Sequence, residues 1–160
     1  MRRPLLVLVL LATIAAGWAQ AAFAAANRLP GGSQTDHASR TQKLARRVVA
    51  YARHQVGVAY SYGGTSPRTG FDCSGLVYAA YRSIGWKIPH SSWDQLRVGR
   101  PVGFARLRPG DLLFTEGGGH VQLVVSKRAA ISAPQTGERV RYVPLVQLRP
   151  EFAGARRLLK

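Results

Sequence analysis

Apolar positions recur at helical spacing from Lys43 to Val56, where Leu44, Val48, Tyr51, Ala52 and Val56 fall on one stripe. Lys43, Arg46, Arg47 and Arg53 supply the wet side, so the pattern predicts a helix with Thr41 as its cap and Gly57 as its stop. A second helix is predicted from Asp72-Cys73 through Leu76, Val77, Ala80, Tyr81 and Ile84, with Asp72 as N-cap and Gly85 at its end. Gly63-Gly64-Thr65-Ser66-Pro67 between them breaks the chain into a loop. After the Arg108–Asp111 turn the period shortens. Strand-like runs follow at Leu112–Thr115, His120–Ser126, Ala129–Ser132, Arg139–Val143 and Arg156–Leu159. Helices first and an antiparallel, hairpin-connected sheet afterwards define an α+β domain.

The N-terminal pattern is different. Met1-Arg2-Arg3 precedes an apolar run from Pro4 to Ala16 and a stretch of small residues holding Ala22-Phe23-Ala24, with Ala19-Gln20-Ala21 as a second candidate for cleavage. A basic start, a short apolar middle and an A-x-A site describe an export signal over residues 1–24, cleaved before Ala25. No cysteine near that site can accept a lipid, and no later segment is apolar enough to span a bilayer. The mature product is therefore expected outside the cytoplasm without stable membrane insertion, in the periplasm or at the extracellular wall. Residues 25–42 lack an apolar period and read as a flexible linker, which leaves 43–160 as one domain.

The net charge is +16, to which Arg2 and Arg3 contribute two. Such an excess concerns partners and steering, not fold. An exported protein meets wall peptides and anionic envelope polymers; nucleic acid is not an expected partner. A monomer is expected. There is no phosphate-binding GxxxxGK[ST] loop and no second cysteine, and no two histidines stand three to five apart. Nucleotide, zinc and other cofactors are thus not called for.

One cysteine excludes an internal disulfide and turns attention to Cys73 itself. At a helix start, aligned peptide dipoles and free N–H groups favour a thiolate and can hold an oxyanion. This placement predicts a lowered thiol pKa. Of the four histidines, His37 and His54 read as solvated and His90 as a cap or cleft-rim residue. His120 opens an apolar strand behind Gly117-Gly118-Gly119, the placement expected of a base that substrate backbone must approach.

Phe71-Asp72-Cys73-Ser74-Gly75-Leu76-Val77 resembles the nucleophile motif of the NlpC/P60 peptidases. In the same order, Tyr60-Ser61-Tyr62-Gly63-Gly64, Arg108–Phe114 and Gly119-His120-Val121 resemble that family's aromatic-GG, PGDL and GHV segments. The resemblance implies a papain-like fold and hydrolysis of peptidoglycan stem peptides, commonly at the bond from γ-D-glutamate to a diamino acid. It implies Cys73 as nucleophile, His120 as base, and Tyr60 as an oxyanion donor, a role for which Tyr62 competes. Asp72 and Ser74 match residues of the adjacent pocket. Where the family often has a histidine to orient the base, this chain has Ser132. That departure leaves an alternative, a weakly active or inactive wall-binding adaptor that keeps the cleft.

Overall fold

The computed structural model describes residues 32–160. The expected signal segment 1–24 lies outside the described residues. The chain divides into two units, Met1–Asp36 and His37–Lys160; all that follows on sheet, core and cleft concerns the second.

Helix α1 spans Gly32–His54 and so begins inside the stretch read as a linker. Its opening carries no apolar period because residues 35–40 are all exposed and bury nothing. Burial starts with Val48, Val49 and Ala52. Thr41 is not a cap: it lies mid-helix, and its hydroxyl donates to the Lys160 carbonyl. Gly57 follows the helix at φ 94°, a left-handed conformation that side chains resist.

A two-stranded ribbon, β1 (Thr65–Ser66) and β2 (Gly70–Phe71), leads directly to α2 (Cys73–Arg82). Asp72 caps α2 by accepting from the Gly75 N–H at 2.6 Å. The remaining elements are α3 (Ser92–Gln95), β3 (Arg100–Pro101), β4 (Leu112–Thr115), β5 (His120–Val124), β6 (Ala129–Ser132), β7 (Arg141–Pro144), α4 (Leu145–Leu148) and β8 (Gly154–Arg157). Antiparallel pairing in the order β3-β8-β4-β5-β6-β7 makes a six-stranded sheet, so the fold is α+β.

Strand alternation splits the apolar side chains between two faces. Leu112, Phe114, Val121, Leu123 and Ile131 join Val48 of α1 and Leu76, Val77 and Tyr81 of α2 in the main core. Leu113, Val124 and Ala130 form a smaller cluster with Leu145 of α4. Two long-range polar links tie sheet to helices and turns. Asp111, 1% exposed, receives two hydrogen bonds of 2.6 Å from Arg157. The buried Tyr81 hydroxyl donates to the Gly110 carbonyl at 2.6 Å. No helix among the described residues is long and apolar enough to cross a membrane.

Candidate active site

The first turn of α2 is fixed by Asp72, whose carboxylate is almost wholly committed. Oδ1 accepts from the Gly75 N–H and the Ser74 hydroxyl, and Oδ2 accepts from the Gly63 N–H at 2.9 Å. The Asp72 N–H returns a bond to the Gly64 carbonyl at 3.1 Å. The aromatic-GG loop is thereby pinned to the cysteine helix. Glycine is required on both sides of this contact: a Cβ on Gly75 would stand 2.0 Å from the Gly64 oxygen, and one on Gly64 would stand 2.4 Å from the Gly70 oxygen.

This anchoring places Cys73 on the wall of a cleft of about 710 Å³. His120, Tyr60, Tyr62, Asp72 and Ser74 line the same cleft, joined by His90, Trp93 and Glu116. Ser132 does not line it. It is buried, with its Oγ 2.9 Å from His120 Nε2. Tyr62 is 91% exposed at the rim, whereas Tyr60 is partly buried. Gln122 donates to Thr115 and Gln135 to Glu138, so these two amides are engaged elsewhere.

The electrostatics correct one expectation. Burial pushes the Cys73 thiol up from its ordinary value, and the Asp72 charge adds to the rise. Backbone N–H groups of Val121, Ser74 and Cys73 itself oppose it without prevailing. The helix start lowers the cost of a thiolate, but enclosure costs more. Burial likewise pushes the His120 pKa down, against smaller upward effects of Glu116 and Glu151. Both directions favour the uncharged forms, a thiol at Cys73 and a neutral imidazole at His120, in the one cleft. Tyr60 is held up, first by burial and then by the charges of Cys73 and Asp72, and stays a phenol donor.

A pH profile follows. With His120 depressed, the neutral imidazole persists below its ordinary value of about 6.5. The acid limb of kcat/KM should therefore lie below that value, and Glu116→Gln should move it lower still. An acid limb above 6.5 in stopped assays across pH 4–9 would contradict this ordering.

Sequence reasoning missed α3, which touches both sides of the site. The fully buried Gln95 donates to the Ser74 carbonyl at 3.0 Å and to the Pro89 carbonyl at 2.8 Å. Ser92 donates to the Gly119 carbonyl at 3.0 Å, one residue before His120. Only the tertiary position of those carbonyls gives these polar residues their task. His90 lines the cleft with Nε2 3.4 Å from Asp72 Oδ1, its ring tilted 5.7 Å from Tyr78. Ser91, not His90, stands at the N-cap of α3.

The sequence matches the NlpC/P60 family over residues 57–152. The chain belongs to the NlpC/P60 family. Among NlpC/P60 relatives, it is 36% identical over 133 residues to murein DD-endopeptidase MepH of Escherichia coli, covering 77% of this chain and 49% of that protein. It is 32% identical to the gamma-D-glutamyl-L-lysine dipeptidyl-peptidase of Bacillus subtilis, over 68% of this chain and 38% of the relative. The chain thus spans about half or less of these relatives' length. The structure of the peptidoglycan hydrolase RipB from Mycobacterium tuberculosis superposes with a TM-score of 0.69 at 29% identity, covering 87% of this chain and 78% of RipB.

Proposed function

We propose that this protein is an exported cysteine peptidase that hydrolyses the stem peptides of peptidoglycan, with the γ-D-glutamyl–diamino acid bond as its target. The observation that carries the reading is the meeting of Cys73, at the start of α2, with a Ser132-held His120 in one open cleft. With Nε2–H donating to Ser132, the imidazole lone pair sits on Nδ1. His120 accepts the thiol proton there as Cys73 Sγ attacks the scissile carbonyl. The oxyanion takes hydrogen bonds from the Cys73 N–H and the Tyr60 hydroxyl. His120 then protonates the departing amine, and water releases the acyl group from sulfur.

The names of the relatives support the substrate class and divide over the bond, one a DD-endopeptidase and one a γ-D-glutamyl peptidase. Incubation with defined muropeptides, some monomeric and some crosslinked, tests both. Release of a D-glutamate-terminated dipeptide from monomers supports the γ-D-glutamyl bond. Conversion of dimers to intact monomers alone would move the assignment to the crosslink, and no cleavage of either would leave the adaptor.

Ser132 is the positioning residue of this scheme. Its neutral hydroxyl orients His120 with less hold than a buried carboxylate would provide. Ser132→Ala should lower kcat by about tenfold, roughly 1.4 kcal/mol, with KM little changed. Unchanged kcat in a folded variant would remove Ser132 from the mechanism.

A further inference from the structure

The cleft holds an acidic group that the proposed chemistry does not use. Glu116 lines it at φ 53°, the one non-glycine residue with positive φ among those described. Its carboxylate makes no hydrogen bond or ion pair within the described residues, although its charge reaches His120. Of the chain's 7 acids, Asp36 and Glu151 also make no hydrogen bond or ion pair among the described residues, but neither lines the cleft. Asp94, Asp111 and Glu138 are each matched with an arginine, and Asp72 is consumed in capping.

Beside Glu116 lies Trp93, also on the cleft wall and 54% exposed. Its indole covers the glycine turn that leads to His120: a Cβ on Gly118 would come 3.1 Å from the Trp93 ring, and one on Gly119 would come 3.6 Å from it. Gly118, at φ 114°, lets the turn pass under the ring. One indole face and one unpaired carboxylate therefore border the same opening, a few ångströms of backbone from the base. An ammonium group is the ligand suited to both, through a charge-assisted hydrogen bond to Glu116 and attraction to the indole face.

We infer that Glu116 and Trp93 form a subsite for a free primary ammonium on the substrate, and so select stem peptides whose diamino acid keeps its side-chain amine unmodified. The inference rests on the stem-peptide reading above. A free amine gives Glu116 the partner it lacks. An acylated or crosslinked amine offers no charge and brings bulk against Trp93.

Two synthetic stem tetrapeptides, alike except for a free or an N-acetylated side-chain amine on the third residue, provide the test. Binding is measured by calorimetry on Cys73→Ala protein, and kcat/KM on protein with Cys73 intact. The free amine should be preferred about tenfold in both measurements. Glu116→Gln and Trp93→Leu should each bring the ratio close to one, mainly through KM, while the Cys73 alkylation rate and Tm hold. Glu116→Gly, which suits the positive φ, should behave as Glu116→Gln does.

Equal binding of the two peptides by Cys73→Ala protein would overturn the subsite even if both are hydrolysed. A Glu116→Gln variant that slows both substrates equally would also overturn it, because the carboxylate would then act on the reaction without discriminating the amine. Preferential binding with no turnover would leave the subsite standing and sink the peptidase reading.

Discussion

Cys73→Ala should abolish hydrolysis of wall peptides while leaving Tm within a few degrees of the parent. The sulfur is partly exposed in the cleft, so its loss opens no sealed cavity of the kind that makes core truncations expensive. The cap at Asp72 accepts from the Gly75 and Ser74 positions and does not need the thiol. Activity is another matter. Removing the nucleophile from such a constellation costs about 10⁴-fold or more, because the base and oxyanion donors have nothing left to activate. Muropeptide turnover and a thermal melt on the same preparation decide it. A folded alanine variant with undiminished turnover would discard the cysteine mechanism altogether.

Gly75→Ala should also damage catalysis, less severely and by way of the backbone. The added methyl would meet the Gly64 carbonyl oxygen at 2.0 Å, and no rotamer can relieve a clash between backbone and Cβ. α2 is held from below by Leu76 and Val77, both wholly buried, so the Gly63–Gly64 loop must give way. Its movement pulls on the Gly63–Asp72 bond and on Tyr60 just upstream. Overpacking of this kind costs about 1–3 kcal/mol in stability. A displacement near 1 Å at reacting groups costs roughly 100-fold in rate. Gly57→Ala is the matched control. That site has open space around its Cβ but sits at φ 94°, so the variant should lose about 1–3 kcal/mol of stability and keep its specific activity. Equal losses of activity in both variants would mean that the Gly64–Gly75 contact has no special bearing on the cleft.

How much of this was legible in the sequence depended on whether a residue's environment is local. Asp72 as a cap, the α2 start at Cys73, and the strands Leu112–Thr115 and Ala129–Ser132 follow from neighbouring residues alone, and the structure has them at those positions. The last strand was shifted: apolar Leu158 and Leu159 suggested 156–159, but pairing with β4 and β3 occupies Gly154–Arg157. The two-residue strands and the four-residue α3 and α4 exist only because a distant partner completes them. The exposed opening of α1 left no trace because amphipathic reading registers burial, and those residues have none. Gln95 and Trp93 stayed hidden for the same reason: a side chain's use for a remote carbonyl or a remote glycine turn is not written beside it.

The strand order carries a consequence for how the protein is made. β8 is late in the chain yet lies inside the sheet, between β3 and β4. Until a growing chain reaches Gly154–Arg157, β4 has β5 alone as neighbour and Asp111 lacks the guanidinium of Arg157. The hairpin that carries His120 is therefore braced on one side only during synthesis. A nascent chain stopped short of residue 154 keeps an open strand edge, with the pairing liability that such an edge carries. The second brace of the β4–β5 hairpin thus arrives only with the last strand of the sheet.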